Sequence, residues 1–212
     1  MNCCQCEGIE TLFNRKLAVR ELKKYRRKGP SQTTRLLIGA LQAEGVQGLT
    51  LLDIGGGIGA MGHELLAAGV SRATNVDAST AYIEVAQEES ERRGHGDRVS
   101  YQQGDFVELA PEISPADIVT LDRVICCYHD MEALVGLSAQ RATKYYGVVY
   151  PRDNRWFKVA RPVINLFLWL SRNPFRMFVH PTAAVDAVVR KQGLQPRFQH
   201  NTALWQVVLY GR

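Results

Sequence analysis

Apolar and polar positions along this chain follow two rhythms. Short apolar runs of strand character fall at Leu49–Ile54, Ala73–Val76, Val99–Gln102 and Asp117–Leu121. Between them, apolar residues recur at helical spacing near 58–68, 79–92 and 130–140. Strands and helices alternating on this scale predict a parallel sheet with helices on both faces. Upstream, Leu12, Phe13, Leu17, Val19, Leu22 and Tyr25 recur at helical spacing, which predicts an amphipathic helix there. Gly29-Pro30 breaks it, and Ser31 is placed to cap a helix over roughly 32–43. After Val148–Tyr150 the rhythm changes. A long apolar helix is expected over about 155–170, bent by Pro162, and Pro181 opens another that ends at Gly193. Gln195–His200 and Ala203–Tyr210, joined by Asn201-Thr202, read as a last strand pair.

Composition narrows the class. A chain of 212 residues, 46% hydrophobic, suits one domain with a sizeable core, here 1–212. No run reaches the roughly 18 apolar residues of a spanning helix. The start, MNCCQCEGIE, lacks the apolar core of a signal peptide. Five cysteines, with Cys3/Cys4 and Cys126/Cys127 adjacent, do not look like a disulfide framework. Reduced thiols and a cytoplasmic location are the expectation. Charge is uneven: residues 14–28 carry +7, leaving −2 for the rest of a chain whose net charge is +5. This basic extension, 1–30, suits either an anionic partner or a solvated helix face.

The chemistry concentrates in LLDIGGGIGAMGHELL, Leu51 to Leu66. An apolar strand ends in Asp53, passes into Gly55, Gly56, Gly57 and Gly59, and then becomes helical. Glycines there let a ligand approach the backbone and tolerate the positive φ of a tight turn. Two patterns overlap in the loop. Gly57, Gly59 and Gly62 satisfy G-x-G-x-x-G, with Asp77 twenty positions on, as in a dinucleotide site. Asp53 followed by Gly55, Gly57 and Gly59 resembles motif I of class I S-adenosylmethionine-dependent methyltransferases. Register favours the second, because Asp53 and two earlier glycines stand where the dinucleotide pattern puts its first Gly. A diphosphate would also sit badly beside the Asp53 carboxylate.

Further acids follow the next two strands. Asp77, in NVDAS, can accept both ribose hydroxyls of a nucleoside, with Ala78 beside it, while Ser79 fills the helix-capping role. Asp105, in QQGDF, lies just past the third strand; the family resemblance gives it the adenine amino group and gives Phe106 the ring. The fourth strand ends at Leu121 and opens into DRVICCYHDMEAL, which in the resembling family faces the transferred methyl. Arg123, Cys126 and Tyr128 are the candidate substrate contacts there, and His129 the candidate base. Capping the next helix is the competing role for His129, and the expected one for Asp130. Cys3 and Cys6 have a metal-ligand spacing, but no second such pair exists, so no metal site is expected.

The helix around 155–170 is apolar nearly all round and basic at its ends, and Trp156 on it is a further candidate substrate contact. A lid formed by 152–193, a peripheral membrane contact and an oligomer contact all fit it. Material placed here loosely resembles the magnesium-protoporphyrin methyltransferase branch. The resemblance implies a Rossmann-like, doubly wound, seven-stranded α/β sheet, mostly parallel with an antiparallel C-terminal strand. It also implies S-adenosylmethionine bound by Asp53, Gly55, Gly56, Gly57, Asp77, Ala78, Asp105, Phe106 and Leu121. The expected reaction is methyl transfer to a small, apolar acceptor by a monomer or homodimer, with the basic N-terminal helix covering the cofactor. A nucleic-acid methyltransferase and a non-catalytic nucleoside-binding protein are the alternatives. The first lacks an N/D-P-P-Y/F-type tetrapeptide after the fourth strand.

Overall fold

The computed structural model describes the backbone of residues 4–212, and their side chains except those of 4–7, 155–161 and 164. Three helices come first: α1 (Cys4–Leu12), α2 (Arg15–Lys28) and α3 (Gln32–Glu44). The alternating body follows as β1 (Thr50–Ile54), α4 (Ala60–Ala67), β2 (Arg72–Asp77), α5 (Thr80–Arg92), β3 (Val99–Gln103), α6 (Phe106–Leu109), β4 (Ala116–Asp122), α7 (Met131–Arg141) and β5 (Ala142–Pro151). The chain continues through α8 (Arg155–Leu170), α9 (Thr182–Lys191), β6 (Gln195–Asn201) and β7 (Trp205–Gly211).

The seven strands form one sheet in the order β3-β2-β1-β4-β5-β7-β6. The first five pair in parallel, while β7 runs antiparallel to both β5 and β6. Neighbouring residues of each central strand serve opposite faces, as the pleat requires. Leu52, Val119, Val148 and Val208 join one core with α7 and α9. Leu51, Ile118, Val149 and Val207 join the other, with α3 and α4. Order reverses between β1 and β4, so the carboxyl ends of these strands open a crevice, the usual place for a ligand in such sheets.

The amphipathic N-terminal helix exists as α2. Asn14 Oδ1 caps it by accepting from the Leu17 N–H at 3.2 Å. Its apolar face puts Ala18, Leu22 and Tyr25 against Ile58, Tyr82 and Val85. Two of its eight basic residues are answered by α5. Arg15 pairs with Glu84 at 3.0 Å and Glu88 at 2.6 Å, and Arg26 reaches Glu89 at 2.5 Å. Glu89 is fully buried and also takes Arg92 and Arg93. Burial alone would raise its pKa, but hydrogen bonds from Arg92, Arg26 and Arg93 outweigh that and hold the carboxyl far below its ordinary range. Tyr25 adds a hydrogen bond to Glu64 at 2.7 Å.

The structure differs from the sequence reading in three places. The N-terminal helical extension is two helices, α1 and α2, rather than one, α6 is a single short turn of helix, and β5 begins at Ala142 rather than near Val148. α7 runs into β5 with no intervening turn residue, so no punctuation marks the change.

Among its described residues, α8 is held along one side. Asn165 brackets Met177, donating to its carbonyl at 3.0 Å and accepting from its N–H at 2.8 Å, and Leu168 is buried. Val163, Leu166, Phe167 and Leu170 lie three, four and seven positions apart and face outward, with Trp169 exposed beside them. The helix ends in a Schellman motif. The Arg172 N–H donates to Trp169 O and the Asn173 N–H to Leu168 O, each at 3.0 Å. Arg172 occupies the left-handed position, at φ +56°, where glycine is the usual residue.

Candidate active site

A cavity of about 680 Å³ opens at the carboxyl edge of the sheet. Its floor is the loop after β1. Gly55 has φ +63°, and a Cβ there would stand 2.4 Å from Val124 Cγ2, so no other side chain fits without movement. Gly57, at φ +56°, points its N–H at Asp77 Oδ2, 2.9 Å away. Asp77 Oδ1 accepts from the Ser79 N–H at 2.8 Å. Asp77 therefore shapes the loop as well as lining the cavity. Burial raises its pKa, only partly offset by the Ser79 and Gly57 N–H groups.

Asp53 lies at the end of β1, buried. Its Oδ1 accepts from the Thr120 hydroxyl at 2.7 Å, and its Oδ2 has no hydrogen-bond partner among the described residues. Burial pushes this carboxyl up to about 7 against the opposing hydrogen bond from Thr120. Behind the glycine loop Asp53 also borders a void of about 10 Å³, close to the room one water needs, shared with His63 and Asn75. His63 Nε2 and Asn75 Oδ1 likewise lack partners among the described residues. Burial, with Arg93 and His95 nearby, lowers His63 to about 4.

On the far wall Asp105 caps α6, accepting from the Val107 N–H at 2.9 Å. Its two oxygens also receive the Tyr128 hydroxyl at 3.1 and 2.8 Å. Phe106 is buried and lines the cavity. At the end of β4, Asp122 accepts from the Thr34 hydroxyl and from Arg123 Nε. Arg123 sits at φ +66°, a strained conformation for a non-glycine residue, its N–H bonded to Val149 O at 2.8 Å.

The cavity thus brings together Asp53, Gly55, Gly56, Gly57, Asp77, Ala78, Asp105, Phe106, Arg123 and Tyr128. Three expected residues fall elsewhere. Leu121 is wholly buried beneath the wall, and Cys126 is buried, its neighbour Cys127 taking the place on the lining. His129 is exposed, stacked on Tyr128 at 5.3 Å, and is not part of the cavity wall. The Trp156 side chain, like those of Cys4 and Cys6 and the whole of Cys3, lies outside the described residues. Asp130 caps α7 through the Ala133 N–H. The roof is built from Glu21, Lys24, Tyr25 and Lys28 of α2, the basic helix expected to cover the site, and from Thr34 of α3, which sequence reasoning did not single out. The apolar stripe of α2 signals that it packs, but not which of its residues face the cavity.

The family model described as a methyltransferase domain matches residues 51–144, from β1 into β5. That stretch is similar to a methyltransferase domain. Solved structures extend the likeness of fold over nearly the whole chain. Magnesium protoporphyrin IX methyltransferase from Synechocystis, solved with bound SAH, superposes with a TM-score of 0.74 at 18% identity, over 96% of this chain and 98% of that one. An O-methyltransferase family protein from Burkholderia thailandensis gives 0.68 at 16% identity, over 94% of this chain and 63% of that one. An O-methyltransferase family 2 protein from Planctomyces limnophilus, solved with apigenin, gives 0.59 at 16% identity, over 87% and 62%. No curated protein matches. The methyltransferase-domain match over these residues supports an enzyme.

Proposed function

We propose that the cavity holds S-adenosylmethionine across the carboxyl ends of β1, β2 and β3, and that the methyl passes to a small, apolar acceptor. One observation carries this reading: three acids from three successive strands, with the glycine loop, line a single cavity. Asp77 would take the ribose hydroxyls and the Gly55–Gly57 backbone the amino-acid tail. Asp105 and Phe106 would face the adenine. Asp53, with an oxygen that lacks a partner, suits the cationic end of the ligand.

S-adenosylmethionine supplies a methyl already activated for in-line displacement. The residues around it need chiefly to align the acceptor and exclude water, effects that together contribute roughly 7–11 kcal/mol. Arg123, Cys127 and Tyr128 form the wall nearest β4, where the acceptor would stand. The roof made by α2, and 152–193 as a lid, would keep water out. The pairing of Arg15 and Arg26 with α5, and Lys24 and Lys28 on the cavity lining, favour this covering role over nucleic-acid binding.

Asp77 supplies the test. Asp77→Ala should weaken S-adenosylmethionine binding by about 1.5–3 kcal/mol in calorimetry. Asp77→Asn, which keeps an acceptor for the Gly57 N–H, should recover part of that loss. Unchanged affinity in both variants overturns the placement of the ribose.

A further inference from the structure

We propose that the outer face of α8 is a docking surface for an anionic lipid bilayer, seating the protein with its cavity beside the membrane. The reading stands apart from the identity of the acceptor. Val163, Leu166, Phe167 and Leu170 form one helical stripe, each more than half exposed, and Trp169 flanks it at 62%. A contiguous apolar face of this kind is rare on a surface that meets only water. No helix of the described chain is long and apolar enough to cross a membrane, so the face fits an interfacial position.

Charge selects the occupant. From Asn154 to Val185 there is no aspartate or glutamate, while Arg155, Lys158, Arg161, Arg172 and Arg176 supply five positive charges. A second copy of the chain placed on this face by a two-fold axis would bring like charges together. An anionic bilayer would neutralise them while taking up the aromatic and aliphatic side chains. Arg172 adds a separate argument: a cation occupies the left-handed position that the backbone would give to glycine. The patch is also joined to the cavity. Phe175, following α8, packs edge-on to Phe13 at 6.0 Å, and Phe13 lines the cavity. The Phe178 N–H reaches Cys126 O at 2.8 Å, tying the same segment to the loop after β4.

Co-sedimentation of the full chain with phosphatidylcholine vesicles, with and without phosphatidylglycerol, tests this surface. Binding should need the anionic lipid and weaken with salt. Phe167→Asp combined with Trp169→Asp should lower it at least roughly tenfold. Arg172→Gly, which relieves the backbone and cannot be dismissed as misfolded, should lower it about fivefold. Both variants should bind S-adenosylmethionine as the parent chain does, showing that the cavity is intact. Vesicle binding that is absent, or equal in parent and variants, overturns the proposal. So does sedimentation showing a dimer that the aspartate variants dissociate, since the face would then belong to a second copy.

Discussion

Asp53 and His63 share the void behind the glycine loop, and burial moves their pKa values in opposite directions, past each other. Folded Asp53 holds its proton up to about 7, whereas an unfolded aspartate loses it near 3.8. Its contribution to stability is therefore full at low pH and lost as pH rises through that window. Folded His63 refuses a proton down to about 4, whereas the unfolded ring takes one near 6.5. Its contribution is full above that value and lost as pH falls toward 4. The two slopes oppose each other across nearly the same range. Relative to the parent chain, Asp53→Asn should make stability climb more steeply from pH 4 to 7. His63→Gln should make it decline there, each by up to about 1.4 kcal/mol per pH unit in urea melts of the cofactor-free protein. His129 gives a kinetic counterpart. Exposed and off the cavity wall, it is expected to lose far less turnover on change to Ala than the roughly 10²-fold a general base supplies. A larger fall in a methyl-transfer assay would return the base role to it. Asp77 was readable as an acid after a strand. Its bond to Gly57, twenty residues away, was not, because periodicity says nothing of how a loop folds back.

Helices were legible where their ends carry caps. Asn14, Ser31, Ser79 and Asp130 each accept a backbone N–H at a helix start, and the three that the sequence singled out as caps, Ser31, Ser79 and Asp130, do so for α3, α5 and α7. α1 and the start of β5 lack such punctuation, and tertiary packing decides them. The far end of α8 shows the opposite conflict, a cap whose residue disagrees with its backbone. Arg172→Gly should remove the left-handed penalty and raise stability by about 1 kcal/mol, readable as a higher melting temperature. A fall instead would mean that the arginine side chain holds the turn together by more than the backbone loses.

Across the molecule, strand alternation in the first 150 residues was enough to foresee the parallel sheet, because each buried strand is an apolar run with a helix on either side. What the sequence could not give was the partnership between α2 and α5, since the acids that answer Arg15 and Arg26 lie more than 60 residues away. The +7 segment therefore overstates the charge available to a partner. Duplex DNA or RNA should bind only weakly, and the binding should disappear toward physiological salt in a titration followed by anisotropy. The far edge of the sheet carries one more consequence. β7 lies between β5 and β6, so β6 has no place in the sheet until a strand made after it has threaded in. During synthesis β6 must wait, and its sequence suits the wait: QPRFQHN is polar, carries Pro196, and buries none of its side chains even when paired. The strand that closes the sheet, WQVVLYG, is by contrast buried along nearly its whole length. The more adhesive of the two is thus the one that emerges last, when β5 already stands ready to receive it, which shortens the time an apolar edge is open to other chains.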